Sequence, residues 1–325
     1  MEKQINFHSN ICAIIVTYNG AYWIEKCLQS LENSSTKVDI IVVDNCSNDN
    51  TVELIIDRFP HVLLIQSEVN LGFGKANNLG ILKALDAGAD YFFLLNQDAW
   101  VLPNTIEELI RVQRSNPEYF ILSPVHLDGS GVNLDFSFST YVSPYNCQGF
   151  ISDVVLRNNN MKDVYPINFV NAALWLVSKE SVNVVGYFDP IFPHYGEDDD
   201  YLQRVLYHSG KIGICPSAFG FHDRDQSPVD VRKFSLERRY KRQIVACLIT
   251  LMNINKSFYH CFMVFMSTRI NFFFVELFRL RFKVAFIEFK VLIYVLFKIP
   301  EIKRRRLANM KVANSQTAAS LYAQR

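Results

Sequence analysis

The chain of 325 residues is 50% hydrophobic and 20% charged, and its formal net charge is +1. Its length exceeds what a single hydrophobic core normally fills, so we expect one large domain and an appended region. The composition excludes a largely disordered chain. Seven cysteines without CxxC spacing favour a reducing compartment and argue against a zinc site.

Four short apolar runs alternate with helical patterns in the first third of the chain. The runs are residues 11–17, 38–43, 62–65 and 91–95. The first is typical of a strand buried on both faces, and apolar side chains then recur at helical spacing over residues 22–31. This alternation predicts an α/β fold with a mostly parallel central sheet flanked by helices, whose ligands bind beyond the carboxyl ends of the strands.

Local signals predict where helices begin, and the pattern becomes weaker in the middle of the chain. Asn50 and Glu53 resemble a capping box, and Pro103 suits the first turn of a helix. A polar stretch without a clear period follows later in the chain. Beyond it, residues 167–178 predict a strand and residues 198–208 predict a helix.

Polar residues follow the first and second predicted strands. They are Thr17, Tyr18 and Asn19 after the first strand, and Asp44, Asn45 and Ser47 after the second. A carboxylate at a strand end accepts hydrogen bonds from a uracil or thymine N3–H or from ribose hydroxyls, so Asp44 is a candidate reader of a nucleotide. Clusters of this composition also form plain turns, and these residues alone leave both interpretations open.

A loop rich in Gly and Asn follows the third strand and leads into a helical pattern. Its candidate donor contacts are Asn70, Gly72, Lys75 and Asn77. Glycine lets a backbone approach a ligand closely, and a helix N-terminus offers free N–H groups to phosphate. Lys75 would add a positive charge. The loop lacks the third glycine of a dinucleotide fingerprint, and a tight turn into a helix is the alternative.

Residues 96–98 (Asn-Gln-Asp) directly follow the fourth strand. A carboxylate at a strand end is a ligand for Mg²⁺ or Mn²⁺, which complete their shells with water and substrate phosphates. We therefore predict Asp98 as a metal ligand and Gln97 as a donor contact. His222, after a later strand, is a candidate second ligand for the same ion. A surface turn and a structural histidine are the alternatives.

Residues 197–200 (Glu-Asp-Asp-Asp) form a run of carboxylates at the start of a predicted helix. Neighbouring like charges repel one another, so we expect the pKa of at least one of these groups to be raised. A raised pKa suits a catalytic base, and Glu197 and Asp198 are the candidates. An acidic first turn favoured by the helix dipole is the alternative interpretation.

Five motifs in a fixed order closely resemble the family 2 glycosyltransferases, and within them the rhamnosyltransferase-like bacterial enzymes. The motifs are VTYNG, VVDNCSND, NLGFGKANN, LLNQDAWV and YGEDDDY, and the resemblance covers residues 11–224. It implies a GT-A fold, an inverting single displacement, a divalent cation, and a donor linked to UDP or dTDP.

The resemblance also implies roles for the nucleotide and metal positions. Asp44 resembles the aspartate that reads the base, and Asp98 resembles the metal-binding carboxylate that ends the DxD motif. His222 resembles a later histidine ligand seen in some members. This chain has Asn96 at the first position of the DxD motif. The ion would therefore depend more on the diphosphate and on His222.

Asp198 resembles the catalytic base of the family's ED motif, beside Glu197. In the implied reaction, Asp198 takes a proton from an acceptor hydroxyl. The hydroxyl oxygen then attacks the anomeric carbon of the sugar from the face opposite the leaving diphosphate, so configuration inverts.

The last part of the chain differs sharply in charge from the rest. Residues 232–311 contain 18 Lys and Arg against four Glu and no Asp, a net charge of +14. We therefore divide the chain into a catalytic domain, residues 1–231, and a basic, aromatic-rich helical region, residues 232–325.

The basic region contains four apolar stretches, each interrupted by charged residues. They cover approximately residues 244–254, 257–266, 270–278 and 284–297. Each is too short to span a bilayer, and eleven Phe among basic residues predict helices lying in the headgroup region of an anionic membrane. A helical pack that covers its own core or a dimer partner is the alternative.

The expected enzyme is a glycosyltransferase of the hexosyltransferase type in bacterial surface polysaccharide assembly. By resemblance, it moves rhamnose to a hydroxyl of a glycan or lipid-linked acceptor. The first residues lack a signal-peptide core, so we expect a cytoplasmic protein, peripheral on the inner membrane face, without a nucleic-acid partner. Two alternatives are a sugar-phosphate nucleotidyltransferase, which should carry a basic Gly-rich loop after strand one, and a non-catalytic membrane adaptor with the same fold.

Overall fold

The computed structural model describes residues 10–156, 161–224 and 235–311. Within these residues, nine strands form one sheet. The strands are β1 Ile11–Thr17, β2 Asp39–Asp44, β3 Leu63–Gln66, β4 Tyr91–Asn96, β5 Ala99–Val101, β6 Tyr119–Asp128, β7 Tyr165–Ile167, β8 Leu174–Ser178 and β9 Lys211–His222. Their order is β3-β2-β1-β4-β8-β6-β9-β5, and β7 pairs with β9.

Helices flank the sheet, and a further group of helices follows it. They are α1 Ile24–Glu32, α2 Thr51–Arg58, α3 Phe73–Asp86, α4 Thr105–Ser115, α5 Phe136–Tyr141, α6 Phe150–Val155, α7 Lys179–Val185, α8 Glu197–Tyr207, α9 Leu236–Met252, α10 Phe258–Phe278 and α11 Phe282–Asn309. Alternate strand residues enter different cores, since Ile14 and Ile15 belong to separate buried clusters. The sheet is therefore covered on both faces, and the predicted α/β fold is confirmed.

The predicted parallel order holds for the first half of the sheet. β1 pairs in parallel with β2 and β4, and β2 pairs in parallel with β3. In the second half, β8 runs antiparallel to both β4 and β6, while β6 and β9 are parallel. The sheet as a whole is mixed. The polar middle of the sequence concealed β6, which continues to Asp128.

The predicted helix start at Asn50 is confirmed, but its capping box does not form, and the predicted helix start at Pro103 was wrong. Asn50 is the N-cap of α2, but its side chain makes no capping hydrogen bond; instead, the Asp49 carboxylate accepts a hydrogen bond from the Thr51 N–H at 3.1 Å. Pro103 does not begin α4, which starts at Thr105. The short strand β5 lies between Asp98 and this helix and shifts its start. Residues 167–178 likewise form parts of two strands, β7 and β8.

The C-terminal helices correct the interpretation of the apolar stretches. Residues 257–266 and 270–278 belong to the single helix α10, and that helix is long and apolar enough to cross a membrane. The sequence placed a break at Arg269. In the structure Arg269 is buried and pairs with Glu288 of α11 at 2.9 Å, so its charge is compensated within the helix pair. The predicted boundary at residues 231/232 lies outside the described residues.

The helices α9, α10 and α11 share a hydrophobic core on their inner side. This core contains Leu251 of α9, Phe265 of α10 and Val295 of α11, and Phe192 joins them from the segment before α8. The outer side instead exposes many large apolar side chains. They include Tyr259, Phe272, Phe274, Phe278, Leu280, Phe282, Phe286, Phe289 and Phe297. The alternative of a helical pack with its own core therefore describes only the inner side of this group.

Candidate active site

The carboxyl ends of β1, β2 and β4 bring the first polar residues together. Thr17 is the register partner of Asp44, and Val16 is the register partner of Asn96. Because these strands are parallel, their last residues and the loops that follow meet at one edge of the sheet. The structure thus joins three of the predicted motifs at one cleft.

Hydrogen bonds join the loop after β1 to its two neighbours. The Thr17 hydroxyl and the Tyr18 N–H donate to Gln97 Oε1 at 2.7 and 2.9 Å. The Asn19 N–H donates to Ser47 Oγ at 2.9 Å. Asn19 has a positive φ of 50°. These contacts fix the shape of the cleft edge.

Asp44 has one carboxylate oxygen in use and one that is unpaired. Its Oδ2 accepts a hydrogen bond from the Ser47 N–H at 3.1 Å. Its Oδ1 is buried and has no hydrogen-bond partner in the described part of the chain. An unsatisfied buried oxygen is costly. A bound N–H or hydroxyl would remove that cost, as expected for a residue that reads a nucleotide.

The side chain of Asn45 hydrogen-bonds the backbone of the Gly/Asn-rich loop. The Leu71 N–H donates to Asn45 Oδ1 at 2.7 Å, and Asn45 Nδ2 donates to the Gly72 carbonyl at 3.4 Å. Gly72 is the N-cap of α3 with a φ of 77°, a conformation that favours glycine. The loop therefore has a defined shape at the start of a helix.

Two asparagines of this loop are used within the protein. Asn70 Oδ1 accepts from the Gly72 N–H at 2.9 Å, and buried Asn77 donates to the Phe73 carbonyl at 3.0 Å. Both side chains shape the loop and the first turn of α3, and their predicted contact with the donor stays a prediction. Lys75 is partly exposed in that turn.

Asp98 and His222 are adjacent, although they are far apart in sequence. His222 Nε2 lies 3.5 Å from Asp98 Oδ1, and the Asp223 N–H donates to the Asp98 carbonyl at 2.8 Å. β5 pairs with β9 in a register that matches Ala99 with His222. This pairing is what brings the two predicted metal ligands together.

Asp135 and Arg224 complete this part of the cleft, and the sequence did not identify them. Asp135 Oδ2 lies 3.7 Å from His222 Nδ1, and Arg224 donates to both Asp135 oxygens at 2.8 and 2.6 Å. Burial alone would raise the pKa of Asp135, but the hydrogen bonds from Arg224 and the Phe138 N–H hold it below its usual value. The only sequence signal was an Asp suited to cap α5.

The Asp98–His222 pair fits a metal ion as two protein ligands. A carboxylate oxygen and an imidazole nitrogen 3.5 Å apart are close enough to share one small cation. Within the described ranges, no group of three or more His, Cys, Asp or Glu residues is positioned to hold a metal. A diphosphate and water would have to supply the remaining ligands.

Glu197 and Asp198 begin α8 beside the Gly/Asn-rich loop, which we call the donor loop. A Cβ at Gly74 would lie 3.6 Å from the Cβ of Glu197. Burial raises the pKa of Glu197 to about 8, with smaller contributions from Asp198 and Asp199. Burial also raises the pKa of Asp198, against backbone hydrogen bonds from Asp199 and Ala172. The predicted rise is confirmed, but its main cause is burial and not repulsion within the acidic run.

Residues 172 and 173 connect Asp198 to the end of β4 through backbone hydrogen bonds. The backbone of Ala172 hydrogen-bonds Asp198, and the Ala173 carbonyl accepts from the Asn96 N–H at 2.9 Å. In contrast, Asp200 points away into a buried ion pair with Arg204 at 2.8 Å. Within the acidic run, Asp198 therefore belongs to the cleft, whereas Asp200 has a structural role.

Comparison with known proteins agrees with this geometry. The family model described as Glycosyl transferase family 2 matches residues 12–183. A dTDP-rhamnosyl transferase from Shigella flexneri, RfbF, is 33% identical over 254 residues, covering 76% of this chain and 81% of that protein. An N-acetylglucosaminyl-diphospho-decaprenol L-rhamnosyltransferase from Mycobacterium tuberculosis is 28% identical over 244 residues, covering 66% of this chain and 76% of its own length.

The fold is also shared with solved structures. The crystal structure of GalNAc-T7 with UDP, GalNAc and Mn²⁺ superposes with a TM-score of 0.54 at 16% identity, covering 72% of this chain and 48% of that one. At this identity the likeness concerns the fold alone. It agrees with the GT-A arrangement expected from the sequence.

Proposed function

This chain belongs to glycosyl transferase family 2 and is a rhamnosyltransferase-like glycosyltransferase with a GT-A fold, and we propose that it transfers rhamnose from dTDP-rhamnose. Two relatives named as rhamnosyltransferases support the sugar, and the name of one supports dTDP. The proposed acceptor is a hydroxyl of a glycan or lipid-linked glycan in bacterial surface polysaccharide assembly. The observation that carries the proposal is the convergence of Asp44, Asp98 and Asp198 on one sheet edge.

In the proposed reaction, Asp198 accepts the proton of the acceptor hydroxyl. The hydroxyl oxygen forms a bond to the anomeric carbon while the bond from that carbon to the dTDP oxygen breaks on the opposite face. Its partial burial gives Asp198 a raised pKa, which makes its carboxylate a stronger base than a solvated aspartate. Glu197 has a pKa of about 8 and holds its own proton at neutral pH, so it does not compete for the acceptor proton.

The nucleotide would lie between Asp44 and the loop that begins α3. The unpaired Asp44 Oδ1 is available to a thymine N3–H or to a ribose hydroxyl. Lys75 and the N–H groups of the first turn of α3 would face the diphosphate. Asp98 and His222 would hold Mg²⁺ or Mn²⁺, which when bound offsets the negative charge of the leaving diphosphate.

A donor screen with purified protein tests the function. We expect hydrolysis or transfer with dTDP-rhamnose and Mn²⁺, and slower turnover with UDP-glucose or UDP-N-acetylglucosamine. A preference for a UDP-sugar would overturn the proposed donor but leave the family assignment. Loss of all turnover with every donor, in a protein that still binds dTDP, would support the non-catalytic adaptor.

Metal binding can be tested without turnover. Titration of Mn²⁺ followed by electron paramagnetic resonance should show tighter binding when dTDP is present, because the diphosphate supplies missing ligands. His222→Ala should weaken that binding, whereas His61→Ala, on the exposed surface, should not. Equal Mn²⁺ affinity in the wild type and His222→Ala would remove His222 from the metal site.

We also propose that residues 232–311 hold the enzyme against the inner face of the cytoplasmic membrane as a region distinct from the catalytic domain, residues 1–231. The outer side of α10 and α11 exposes the aromatic rings, and the region has a net charge of +14. Rings suit the headgroup level of a bilayer and Lys and Arg attract anionic lipids.

Co-sedimentation with vesicles tests the membrane proposal. We expect binding to vesicles that contain phosphatidylglycerol and weaker binding as salt is added, because salt screens charge attraction. Protein that stays in the supernatant at low salt would overturn the proposal. So would salt-independent binding, which would also favour insertion of α10 across the bilayer.

A further inference from the structure

Residues 189–196 form a segment that contacts both the donor loop and the catalytic helix. We call it the linking segment. A Cβ at Gly72 would lie 2.6 Å from the Pro193 carbonyl oxygen, so the segment lies directly against the Gly/Asn-rich loop. Its last residue, Gly196, is the N-cap of α8. The position of the segment therefore sets where the donor loop and Asp198 lie relative to each other.

The C-terminal helices hold the start of the linking segment through Asp189. Arg305 Nη1 lies 2.9 Å from Asp189 Oδ1, and Asn309 Nδ2 lies 3.0 Å from Asp189 Oδ2. Asp189 Oδ1 also accepts from the Ile191 N–H at 3.0 Å, which fixes the turn at the start of the segment. Asp189 is only 2% exposed, so its charge depends on these partners.

The same helices also contact the middle and the end of the segment. Phe192 is buried in the core of α9, α10 and α11. A Cβ at Gly196 would lie 2.8 Å from Val245 Cγ1 and 3.1 Å from Ile249 Cδ1, both on α9. Gly196 has a φ of 86°, so glycine is required here both by conformation and by this close approach. The segment thus meets the helices along its length.

We propose that Arg305 is a positioning residue for the catalytic base, and that α11 thereby forms a working part of the active site. By pairing with Asp189, Arg305 keeps the linking segment in contact with the donor loop. It thereby keeps Asp198 at a fixed position relative to the bound donor. The role given to Asp198 here depends on the proposed function. The role of Arg305 in ordering the segment does not.

Three variants and two measurements test this role. Arg305→Ala removes the contact, Arg305→Lys retains the charge, and Arg304→Ala is the matched control, because Arg304 is its exposed neighbour on α11. Amide hydrogen exchange reports the order of residues 189–200 without any turnover. The second measurement compares kcat with the dissociation constant for dTDP.

For Arg305→Ala we expect exchange at residues 189–200 to become at least about tenfold faster, while β1 and β4 remain protected. We expect kcat to fall up to about 100-fold, because a displacement of about 1 Å at a reacting group has this effect, with dTDP affinity changed less than about twofold. Arg305→Lys should lie between this variant and the wild type, and Arg304→Ala should match the wild type.

The role would be overturned by unchanged exchange in the linking segment, by faster exchange spread evenly over the sheet, or by a normal kcat in a protein whose segment is loosened. If the wild type shows no transfer, the proposed function fails, and the exchange measurement alone still decides whether Arg305 orders the segment.

Discussion

The catalytic cleft and the outer side of the C-terminal helices differ in the kind of group that they leave without a partner. In the cleft, carboxylates are buried, and Asp44 and Glu197 each have one buried oxygen without a hydrogen-bond partner in the described residues. In the helices, aromatic rings are exposed, with 83% of Phe278 and 82% of Phe297 accessible. Each arrangement is unfavourable in isolation. Each becomes favourable with a partner, which is a polar ligand in the cleft and an apolar, anionic surface at the helices.

The largest expected effect concerns Asp198, the proposed catalytic base. Asp198→Asn should lower kcat by roughly 10²- to 10⁴-fold, because an amide cannot accept the acceptor proton. The dissociation constant for dTDP should stay nearly unchanged, because the change preserves size and lies apart from the base-reading position. Turnover and isothermal titration measure the two quantities.

A matched control for this variant is Glu180→Gln, an exposed carboxylate of α7. It should retain wild-type turnover. If purified Asp198→Asn kept more than about a tenth of the activity, Asp198 would not be the base.

The next effect concerns the exposed rings at the turn between α10 and α11. The double variant Phe278→Ser/Phe282→Ser should reduce binding to anionic vesicles by about 100-fold or more, because each buried Phe contributes roughly 1.5–3 kcal/mol. Turnover of a soluble acceptor should not change. Tyr145→Ser removes a ring that is 96% exposed outside these helices and is the control. Equal losses for both variants would mean that general surface hydrophobicity, and not this turn, drives binding.

The sequence predicted the parts of the cleft that follow single strands. Asp44 and Asp98 were identified because a strand pattern places the residue after it at the edge of the sheet. Asp135 and Arg224 were missed because their contact with His222 depends on pairing between β6 and β9, which no local pattern encodes. Site residues marked by a local sequence pattern could therefore be predicted, whereas site residues brought together by the pairing of distant strands could not.

The same limit applies to the C-terminal helices. Their existence followed from composition, but the sequence could not show that Arg269 is compensated by Glu288 and does not interrupt α10. It also gave no sign that Asp189 is held from α11, because those residues lie more than 100 positions apart in the chain. Buried ion pairs between distant helices have no local signature.

A smaller effect is expected at Asp44, the proposed contact to the nucleotide base. Asp44→Asn should weaken dTDP binding by about tenfold or more, since a hydrogen bond to a charged group contributes about 1.5–3 kcal/mol. Discrimination between thymine or uracil and other bases should also decrease, because an amide can rotate to donate or to accept. Titration with dTDP and dGDP measures both effects. Asp57→Asn, on the exposed face of α2, is the control, and an unchanged preference in Asp44→Asn would restrict Asp44 to ribose contact.

The smallest effect separates the two carboxyls that begin α8. The pKa of Glu197 is raised from 4.5 to about 8, so the folded protein holds an extra proton between these values. Stability from this group is complete below pH 4.5 and is lost as pH rises towards 8. Gln resembles the protonated form at every pH, so Glu197→Gln should raise Tm by about 5 °C more at pH 8 than at pH 5. Thermal unfolding of both proteins at the two pH values measures this difference. A constant difference would mean that Glu197 is ionised in the folded protein, and Glu197 would then compete with Asp198 for the acceptor proton.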